Sequence, residues 1–393
     1  SAIYHHLIKA ENIAERQQFG TNTWQRYEFT DFDRDSQDEL IIEGDQQNLY
    51  IDPHRGGTIF EWDMRRSMHN LVSVMTRHEE GYHQTLREYE QERRRREAAL
   101  AKAALRESSP ESTSAEPASP HTTVRTKEPN LDAYLVVDPY RRNSLIDHFL
   151  APSVTLAHFT QQLFEEQGNF VELPYQSEVQ QDEQGITLML YRDGYVRRAG
   201  ALSSIPVRVS KRLFLPRGEE RLVIRYTIEN KGQTRLFTQF ASEWNINLLG
   251  GGNNDQAYYR IEGEESTINP GGVINRAPAE GVIQDYFDTT GEVFQVRAFS
   301  IGNRWLEQDV AFRLSEAATL WRFSIETVTG SEAGFERNHQ GSCLTLLWPL
   351  ELEAGQSWSV GIECIGRGSL GRGSLGNFHG HGHGHGPPAS DSL

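Results

Sequence analysis

The sequence is poor in cysteine, has no long apolar run and carries no excess of positive charge. Its two cysteines, Cys343 and Cys364, are too few for a disulfide framework and lack the spacing of a zinc site, so we expect two buried thiols, with a single bridge as the alternative. No run approaches the about 18 to 20 apolar residues that span a bilayer, and the first residues lack a basic-then-apolar signal pattern. These absences favour a cytoplasmic protein without a membrane partner.

The charge balance argues against another class of partner. The chain has 55 Asp plus Glu against 39 Lys plus Arg, a formal net charge of −16. Such a chain repels a phosphate backbone, because binding to nucleic acid depends on neutralising phosphates with Lys and Arg. We therefore expect no nucleic-acid partner, and no motif leads us to expect a cofactor.

Alternation of apolar and polar residues predicts strands over most of the chain. Leu222, Ile224 and Tyr226 would share one buried face of a strand, while Arg221 and Arg225 would take the other face. Parallel sheets need long helical crossovers, and few helical segments separate these strands. The pattern predicts a mainly β fold, a large antiparallel β-sandwich of roughly fifteen strands.

Other segments depart from the strand pattern. Residues 1–20 have helical spacing and are interpreted as the tail of an upstream helical domain, with the sandwich domain over residues 21–365. Helix formers over residues 79–106 predict an inserted, solvated helix. Residues 107–127 are rich in Ser, Pro, Thr and Glu and predict a disordered linker, and residues 366–393 predict a disordered tail rich in Gly and His.

Two segments carry metal-ligating residue types. Alternating imidazoles in a flexible tail can bind nickel, copper or zinc, although adventitious affinity explains them as well: His379, His381, His383 and His385. An acidic run offers the oxygen ligands that calcium prefers, at Asp31, Asp33 and Asp35, followed by Asp38 and Glu39. It lacks the glycine and the register of an EF-hand loop, so a solvated turn is the favoured interpretation.

A cluster of charges surrounds an otherwise apolar segment. Its members are Arg141, Arg142, Asp147 and His148. An Asp beside a His could transfer protons or bind sugar hydroxyls near a cleft. We favour an interface with another domain, in which case the neighbouring side chains of Leu145, Ile146 and Phe149 should form an exposed apolar patch.

A second polar pair lies on a predicted strand farther along the chain. Glu243 and Asn245 should point to one side of that strand and Trp244 to the other, because neighbours on a strand face opposite sides. The polar side could bind a sugar, and a hydrogen-bonded sandwich rim is the equally plausible alternative.

The chain has seven tryptophans, and flat rings of this kind can stack against sugars. Trp24 is the one that we expect to be exposed. The strand patterns predict core positions for most of the others, namely Trp62, Trp305, Trp321, Trp348 and Trp358.

Six segments, in order, resemble the region that follows the catalytic barrel in glycoside hydrolase family 57 enzymes of the α-amylase and 4-α-glucanotransferase group. They are YHHLIKAEN at residues 4–12, NLYIDPHRGGTIFEWDMR at 48–65, HEEGYHQTL at 78–86, DPYRRNSLIDHFL at 138–150, FASEWNINLL at 240–249 and SEAGFERNHQGSCLTLLWPLELEAGQSW at 331–358. The resemblance covers residues 1 to about 365. Each segment alone is weakly specific, and the argument comes from their order.

The resemblance implies a galactose mutarotase-like sandwich that serves as a non-catalytic C-terminal domain of an α-1,4-glucan-acting enzyme. The implied partners are the N-terminal catalytic barrel and the helical domain of the same parent enzyme, and an α-glucan or maltodextrin. Retaining glycosidases use two carboxylates about 5 to 5.5 Å apart, and in this family both stand on the barrel. No catalytic residue is therefore assigned, and this chain alone is expected to be inactive.

Two alternative functions remain. A stand-alone carbohydrate-binding module would need an exposed row of aromatic side chains with polar neighbours. A mutarotase-like sugar enzyme would need a histidine and a carboxylate that converge on a concave sheet face, and the histidines that could serve are His54, His148 and His158.

Overall fold

The computed structural model describes residues 2–104, 125–198, 200–251, 254–265, 282–331 and 334–367. Most of the predicted linker, the four tail histidines and almost all of the predicted tail lie outside the described residues. Within the described part, no helix combines the length and the apolar character needed to cross a bilayer.

A small antiparallel sheet forms the amino-terminal part. Its five strands are adjacent in chain order: β1 (Gln25–Thr30), β2 (Glu39–Gly44), β3 (Gln47–Asp52), β4 (Thr58–Met64) and β5 (His69–Asn70). Every residue of β2 and β3 is buried, so both faces of this sheet are covered. Helix α1 (Ala2–Phe19) lies against the outer face, where Glu15 pairs with Arg65 and Ile8 is buried. Leu40, Ile42 and Leu49 on the inner face belong to the main core.

The large sheet system has twelve further strands among the described residues. They are β6 (Ile146–Leu150), β7 (Gln176–Gln181), β8 (Gly185–Val196), β9 (Ile205–Pro216), β10 (Arg221–Asn230), β11 (Leu236–Ile246), β12 (Ala257–Glu265), β13 (Val282–Asp285), β14 (Gly291–Asn303), β15 (Gln308–Ser331), β16 (Gly334–Leu352) and β17 (Ser357–Arg367). All of their pairings are antiparallel.

Strand β15 joins the two layers of a sandwich. Its residues 309–314 pair with β17, and its residues 319–331 pair with β16. Strands β7, β8, β9, β10 and β17 thus continue into one half of β15, while β6, β11 and β16 continue into the other half. The ring of Phe240 on β11 lies 5.1 Å from that of Tyr226 on β10, centroid to centroid, so the layers pack face to face. The predicted mainly β, antiparallel sandwich is confirmed.

Two predictions about the core are confirmed. On β10 the side chains of Leu222, Ile224 and Tyr226 are buried and that of Arg225 is exposed, as the alternation indicated. Both cysteines are buried free thiols.

The helix predicted within residues 79–106 runs as α2 (His83–Ala104). It is largely exposed. Leu86 packs with Leu131 and Val328, and Glu90 accepts from the backbone N–H of Asn130. Leu131 belongs to a short 3-10 helix (Leu131–Tyr134), and a last short helix, α3 (Leu156–Thr160), follows β6. Helix α3 brings Phe159 over the outer side of β6, where it covers the candidate site.

Candidate functional site

Strand β6 presents Asp147 and His148 to opposite sides of the sheet. In the pairing with β11, Asp147 lies opposite Ser242 and His148 lies opposite Ala241. Adjacent residues on a strand point to opposite faces, so the two side chains do not meet. The predicted Asp147–His148 pair for proton transfer is therefore wrong, and each side chain belongs to its own buried cluster.

On the outer side of β6, His148 lies between two carboxylates. Its Nδ1 is 2.7 Å from Oε2 of Glu166, and its Nε2 is 3.0 Å from Oε2 of Glu243. Burial by itself would lower the pKa of His148, but the hydrogen bonds to Glu166 and Glu243 outweigh it and raise that pKa to about 9. The ring is an imidazolium at neutral pH and donates both N–H groups.

Glu243 is the acceptor at the centre of this side. The guanidinium of Arg142 donates to its Oε1 at 2.7 Å, the hydroxyl of Tyr140 donates to its Oε2 at 2.8 Å, and the amide of Asn245 donates to its Oε1 at 2.7 Å. Burial alone would raise the pKa of Glu243, but Arg142 and His148 outweigh it and hold that pKa well below its usual range. Glu243 is therefore a carboxylate although it is fully buried.

Further ion pairs extend from Arg142. It donates to Oδ1 of Asp138 at 2.6 Å, and Arg77 donates to the same oxygen at 2.6 Å. Burial opposes ionisation of Asp138, but the two guanidinium groups lower its pKa. The six side chains, three cations and three carboxylates, are called the β6 charge network: Arg77, Asp138, Arg142, His148, Glu166 and Glu243.

On the inner side of β6, Asp147 accepts from three donors. The ammonium of Lys211 is 2.8 Å away, and the hydroxyls of Tyr175 and Tyr226 donate at 2.6 and 2.8 Å. Lys211 also donates to the carbonyl of Gly56 in the small sheet at 2.8 Å. Burial lowers the pKa of Lys211, and Asp147 opposes that shift. This cluster fastens the small sheet to the sandwich.

The predicted domain interface at this segment is wrong for all members except Arg141. Arg142 has 1% of its surface exposed, and Leu145, Ile146 and Phe149 have 0%, 1% and 0%. These side chains are covered by the chain itself, because β6 pairs with β11 and faces the small sheet, α3 and the sandwich core. Arg141 is exposed and lies 3.5 Å from Asp33.

The predicted division of side chains on β11 is confirmed. Glu243 and Asn245 hydrogen bond to each other on one side, while Trp244 packs in the core against Trp62 with ring centroids 6.4 Å apart. The sugar-contact role is wrong because Glu243 and Asn245 are fully buried. The alternative, a hydrogen-bonded sandwich rim, is right about the hydrogen bonds and wrong about the rim, since neither side chain lies at an exposed edge. A cavity of 10 Å³ borders Tyr140, which is room for about one water molecule and not for a sugar.

The tryptophan predictions are partly wrong. Trp24 is half-buried, with its ring stacked on Phe19 at 4.4 Å and the guanidinium of Arg65 over it at 5.6 Å. Trp305 is 82% exposed, because it lies in the turn between β14 and β15 and not within a strand. The core positions are confirmed for Trp62, Trp321 and Trp348, and Trp358 is partly buried against the core.

The acidic run brings some of its carboxylates together. Oxygens of Asp31, Asp33 and Glu39 lie within 4.8 Å of one another, with Asp31 and Asp33 exposed. Asp35 is not part of this group, and its carboxylate lies 3.5 Å from Arg55. Glu39 is held by the backbone N–H of Phe32 at 2.7 Å. A solvated turn stays the favoured interpretation of this run, and a calcium site stays the alternative.

Sequence reasoning missed a carboxyl pair beneath α1. Glu61 and Asp63 lie two apart on β4, on the outer face of the small sheet, and α1 brings Tyr4 and Glu11 to the same place. Burial raises the pKa of Glu61 to about 7, and burial together with Glu61 raises the pKa of Asp63. The signal was present in the alternation of Glu61, Trp62 and Asp63, which aligns two acids on one face.

A family model described as the C-terminal domain of α-amylase and 4-α-glucanotransferase matches residues 31–286 and 276–362. The chain belongs to this family. As a member of the α-amylase/4-α-glucanotransferase C-terminal family, it is 27% identical over 371 residues to Alpha-amylase 1 of Dictyoglomus thermophilum, covering 92% of this chain and 44% of that protein.

A second relative of this C-terminal family member is the 4-α-glucanotransferase of Thermococcus litoralis, 27% identical over 323 residues, which cover 82% of this chain and 39% of that protein. The crystal structure of that enzyme aligns with this chain at a TM-score of 0.61 and 22% identity. The aligned region covers 92% of this chain and 41% of the enzyme's chain. A galactose mutarotase-like protein from Lactobacillus casei is also similar, with a TM-score of 0.44 and 10% identity over 84% of this chain and 100% of its own. The chain thus spans less than half the length of the two enzymes.

Proposed function

We propose that this chain is a non-catalytic domain that supports the active-site cleft of a catalytic barrel acting on α-1,4-glucans. The proposal includes the barrel and the helical domain of the parent enzyme as partners, and a cytoplasmic location. It is supported by membership of a family of C-terminal domains and by relatives named as an α-amylase and a 4-α-glucanotransferase. These relatives are more than twice as long as the matched part.

The observation that carries the non-catalytic part of the proposal is the closure of the β6 charge network. His148 converges with Glu166 and Glu243, which is the arrangement that acid–base catalysis on a sugar would need. Yet His148 and Glu243 are fully buried and bonded to each other, and the cavity beside Tyr140 measures 10 Å³. A substrate therefore has no access to His148 or Glu243, although the side chain of Glu166 is 24% exposed.

The same closure counts against the mutarotase-like alternative. Besides His148, the histidines considered for that role were His54 and His158. His158 caps the start of α3 through Thr155. The imidazole of His54 is exposed and has no hydrogen-bonded carboxylate among the described residues, since only its backbone N–H donates to Asp52. Neither histidine completes an open acid–base pair.

In a supporting domain, the network has a mechanical role. Arg77 and Asp138 hold the segment before β6, Glu166 holds the segment after α3, and Glu243 lies on β11. Apart from Arg142 and Asp138, which are an i,i+4 pair, the ion pairs join residues at least 18 positions apart in the sequence. Such cross-links favour a single rigid surface, which is what an active-site cleft requires from a domain that flanks it.

The test uses the purified chain and the barrel-plus-helical part of its own parent enzyme. The chain alone should neither release glucose from maltoheptaose nor redistribute maltodextrin lengths. Addition of this chain to the barrel-plus-helical part should raise its activity. Glucose release or chain redistribution by this chain alone, or a barrel that works equally well without it, would contradict the proposal.

A matched pair of variants sharpens the complementation. Glu243→Gln should weaken the rescue, because it disrupts the network, whereas Glu229→Gln on the exposed side of β10 should rescue as well as the parent chain. Equal rescue by both variants would show that the β6 charge network is not needed for the supporting role.

A further inference from the structure

A groove of about 670 Å³ lies where the small sheet meets the sandwich. One wall comes from β1 and from the ends of β2 and β3, and the other comes from the start of β7. Its lining includes Phe29, Asp38, His54, Tyr175, Gln176 and Ser177. The volume falls in the range of about 300 to 1,000 Å³ that small-molecule sites occupy.

The floor of the groove is fixed by the buried cluster on the inner side of β6. Tyr175 is 4% exposed, and its hydroxyl donates to Asp147 at 2.6 Å. Lys211, which pairs with the same carboxylate, lies over the Tyr175 ring at 4.8 Å. The floor is therefore rigid before any ligand arrives, which lowers the entropy lost on binding.

An exposed aromatic ring lines one wall, and a second exposed ring lies beside it on the same strand. Phe29 is 43% exposed and lines the groove, and Tyr27, 38% exposed, lies on the same side of β1 with its ring centroid 6.5 Å away. Both belong to an edge strand whose next neighbour is β2. Flat exposed rings beside a groove provide apolar faces on which the C–H faces of a sugar ring can stack.

The rim offers polar groups that the protein itself does not use. Among the described residues, the side chains of Asp38, His54, Gln176 and Ser177 make no hydrogen bond or ion pair with another side chain or with the backbone. Together they supply carboxylate, imidazole, amide and hydroxyl groups, which can donate to and accept from the hydroxyls of a sugar. The β6 charge network differs in this respect, since its carboxylates are already bonded.

We propose that this groove binds a segment of an α-1,4-glucan chain. The linkage type rests on the proposed function, whereas the carbohydrate class rests on the ring faces and the unused polar rim. The lining contains no Lys or Arg, and the chain carries a net charge of −16, so a phosphorylated or polyanionic ligand is disfavoured.

The test is isothermal titration calorimetry of the purified chain with maltoheptaose. Phe29→Ala should raise the dissociation constant about five- to tenfold, as loss of a central aromatic contact does in other interfaces. Asp38→Asn should weaken binding less. Trp305→Ala is the matched control, because it removes an exposed ring far along the chain, at the turn between β14 and β15, and should leave the constant unchanged. Thermal unfolding checks that all three variants fold.

Several results would overturn the proposal. They are the absence of measurable heat with maltoheptaose, an unchanged constant in Phe29→Ala, or a loss of binding in Trp305→Ala instead. Cellohexaose binding as well as maltoheptaose would overturn the α-1,4 assignment. If the chain restores the activity of the barrel but does not bind maltoheptaose, the proposed function stands and only the proposal of glucan binding in the groove is contradicted.

Discussion

Two regions of this molecule bury carboxyl groups. In one region cations stabilise the ionised carboxylates, and in the other the carboxyl groups have raised pKa values instead. In the β6 charge network each carboxylate contacts a cation, and the pKa of Glu243 falls while that of His148 rises to about 9. Beneath α1, Glu61 and Asp63 lie side by side, and both pKa values rise. Arg65, the nearby guanidinium, is engaged by Glu15 and Asn48. The local balance of charge, and not burial alone, decides the protonation state.

The comparison predicts its largest effect for Glu243→Gln. This change leaves Arg142 and His148 buried without their shared anion, so the free energy of unfolding at pH 7 should fall by about 3 to 5 kcal/mol. Urea denaturation measures the change. The matched control is Glu229→Gln, where a half-exposed pair with Lys231 at 3.5 Å is lost and the change should stay below about 1 kcal/mol. Equal losses in both variants would mean that the network is not stabilising.

The second prediction concerns alkaline pH. The folded pKa of His148 lies above the ordinary value of 6.5, so its stabilisation is complete below pH 6.5 and is lost as pH rises to about 9. The loss over this window should be about 3 kcal/mol. It is measured by urea denaturation at pH 6.5 and pH 9. His148→Gln should be less stable at pH 6.5 and should show a flatter profile, and an equally steep profile in the variant would assign the effect to another group.

The acid pair predicts a loss of stability of the same sign, also with rising pH, but over a lower window. The folded pKa of Glu61 is raised from 4.5 to about 7, so the folded state holds the proton more tightly and stability falls as pH rises from about 4.5 to 7. Glu61→Gln should remove part of this slope and raise the free energy of unfolding at pH 8 by about 1 to 2 kcal/mol. Glu262→Gln, at an exposed carboxylate on β12, is the control. It should change neither the slope between pH 4.5 and 7 nor the free energy of unfolding at pH 8. A loss of stability in Glu61→Gln at pH 8 would contradict the raised pKa of Glu61 as the cause of the slope.

The smallest effect is expected for Arg141→Ala. Its guanidinium is half-exposed and lies 3.5 Å from Asp33, so unfolding free energy should change by less than about 0.5 kcal/mol. The adjacent Arg142→Ala should cost several times more, because Arg142 is buried between two carboxylates. Thermal unfolding of the two variants in the same buffer gives the comparison directly. Similar midpoints would show that the burial of Arg142 does not make its ion pairs more stabilising than that of Arg141.

Local patterns were sufficient for the strands and for their faces. The alternation on β10 predicted which side chains are buried, and the alternation on β11 predicted that Trp244 opposes Glu243 and Asn245. Such predictions succeed because side-chain direction on a strand depends on the chain's own two-residue period. The same period, applied to β4, could have found the acid pair Glu61 and Asp63.

The sequence by itself determined the mainly β class, the two buried thiols and the clustering of charged residues around β6. Only the tertiary structure decided that Arg142, His148 and Glu243 are sealed from solvent, that Trp305 is exposed and that a groove opens beside Phe29. The reason is the distance along the chain between partners: Nε2 of His148 meets a carboxylate 95 residues away, and Lys211 reaches a carbonyl 155 residues away. No local pattern contains such pairings, because they exist only after the two layers and the small sheet have packed together.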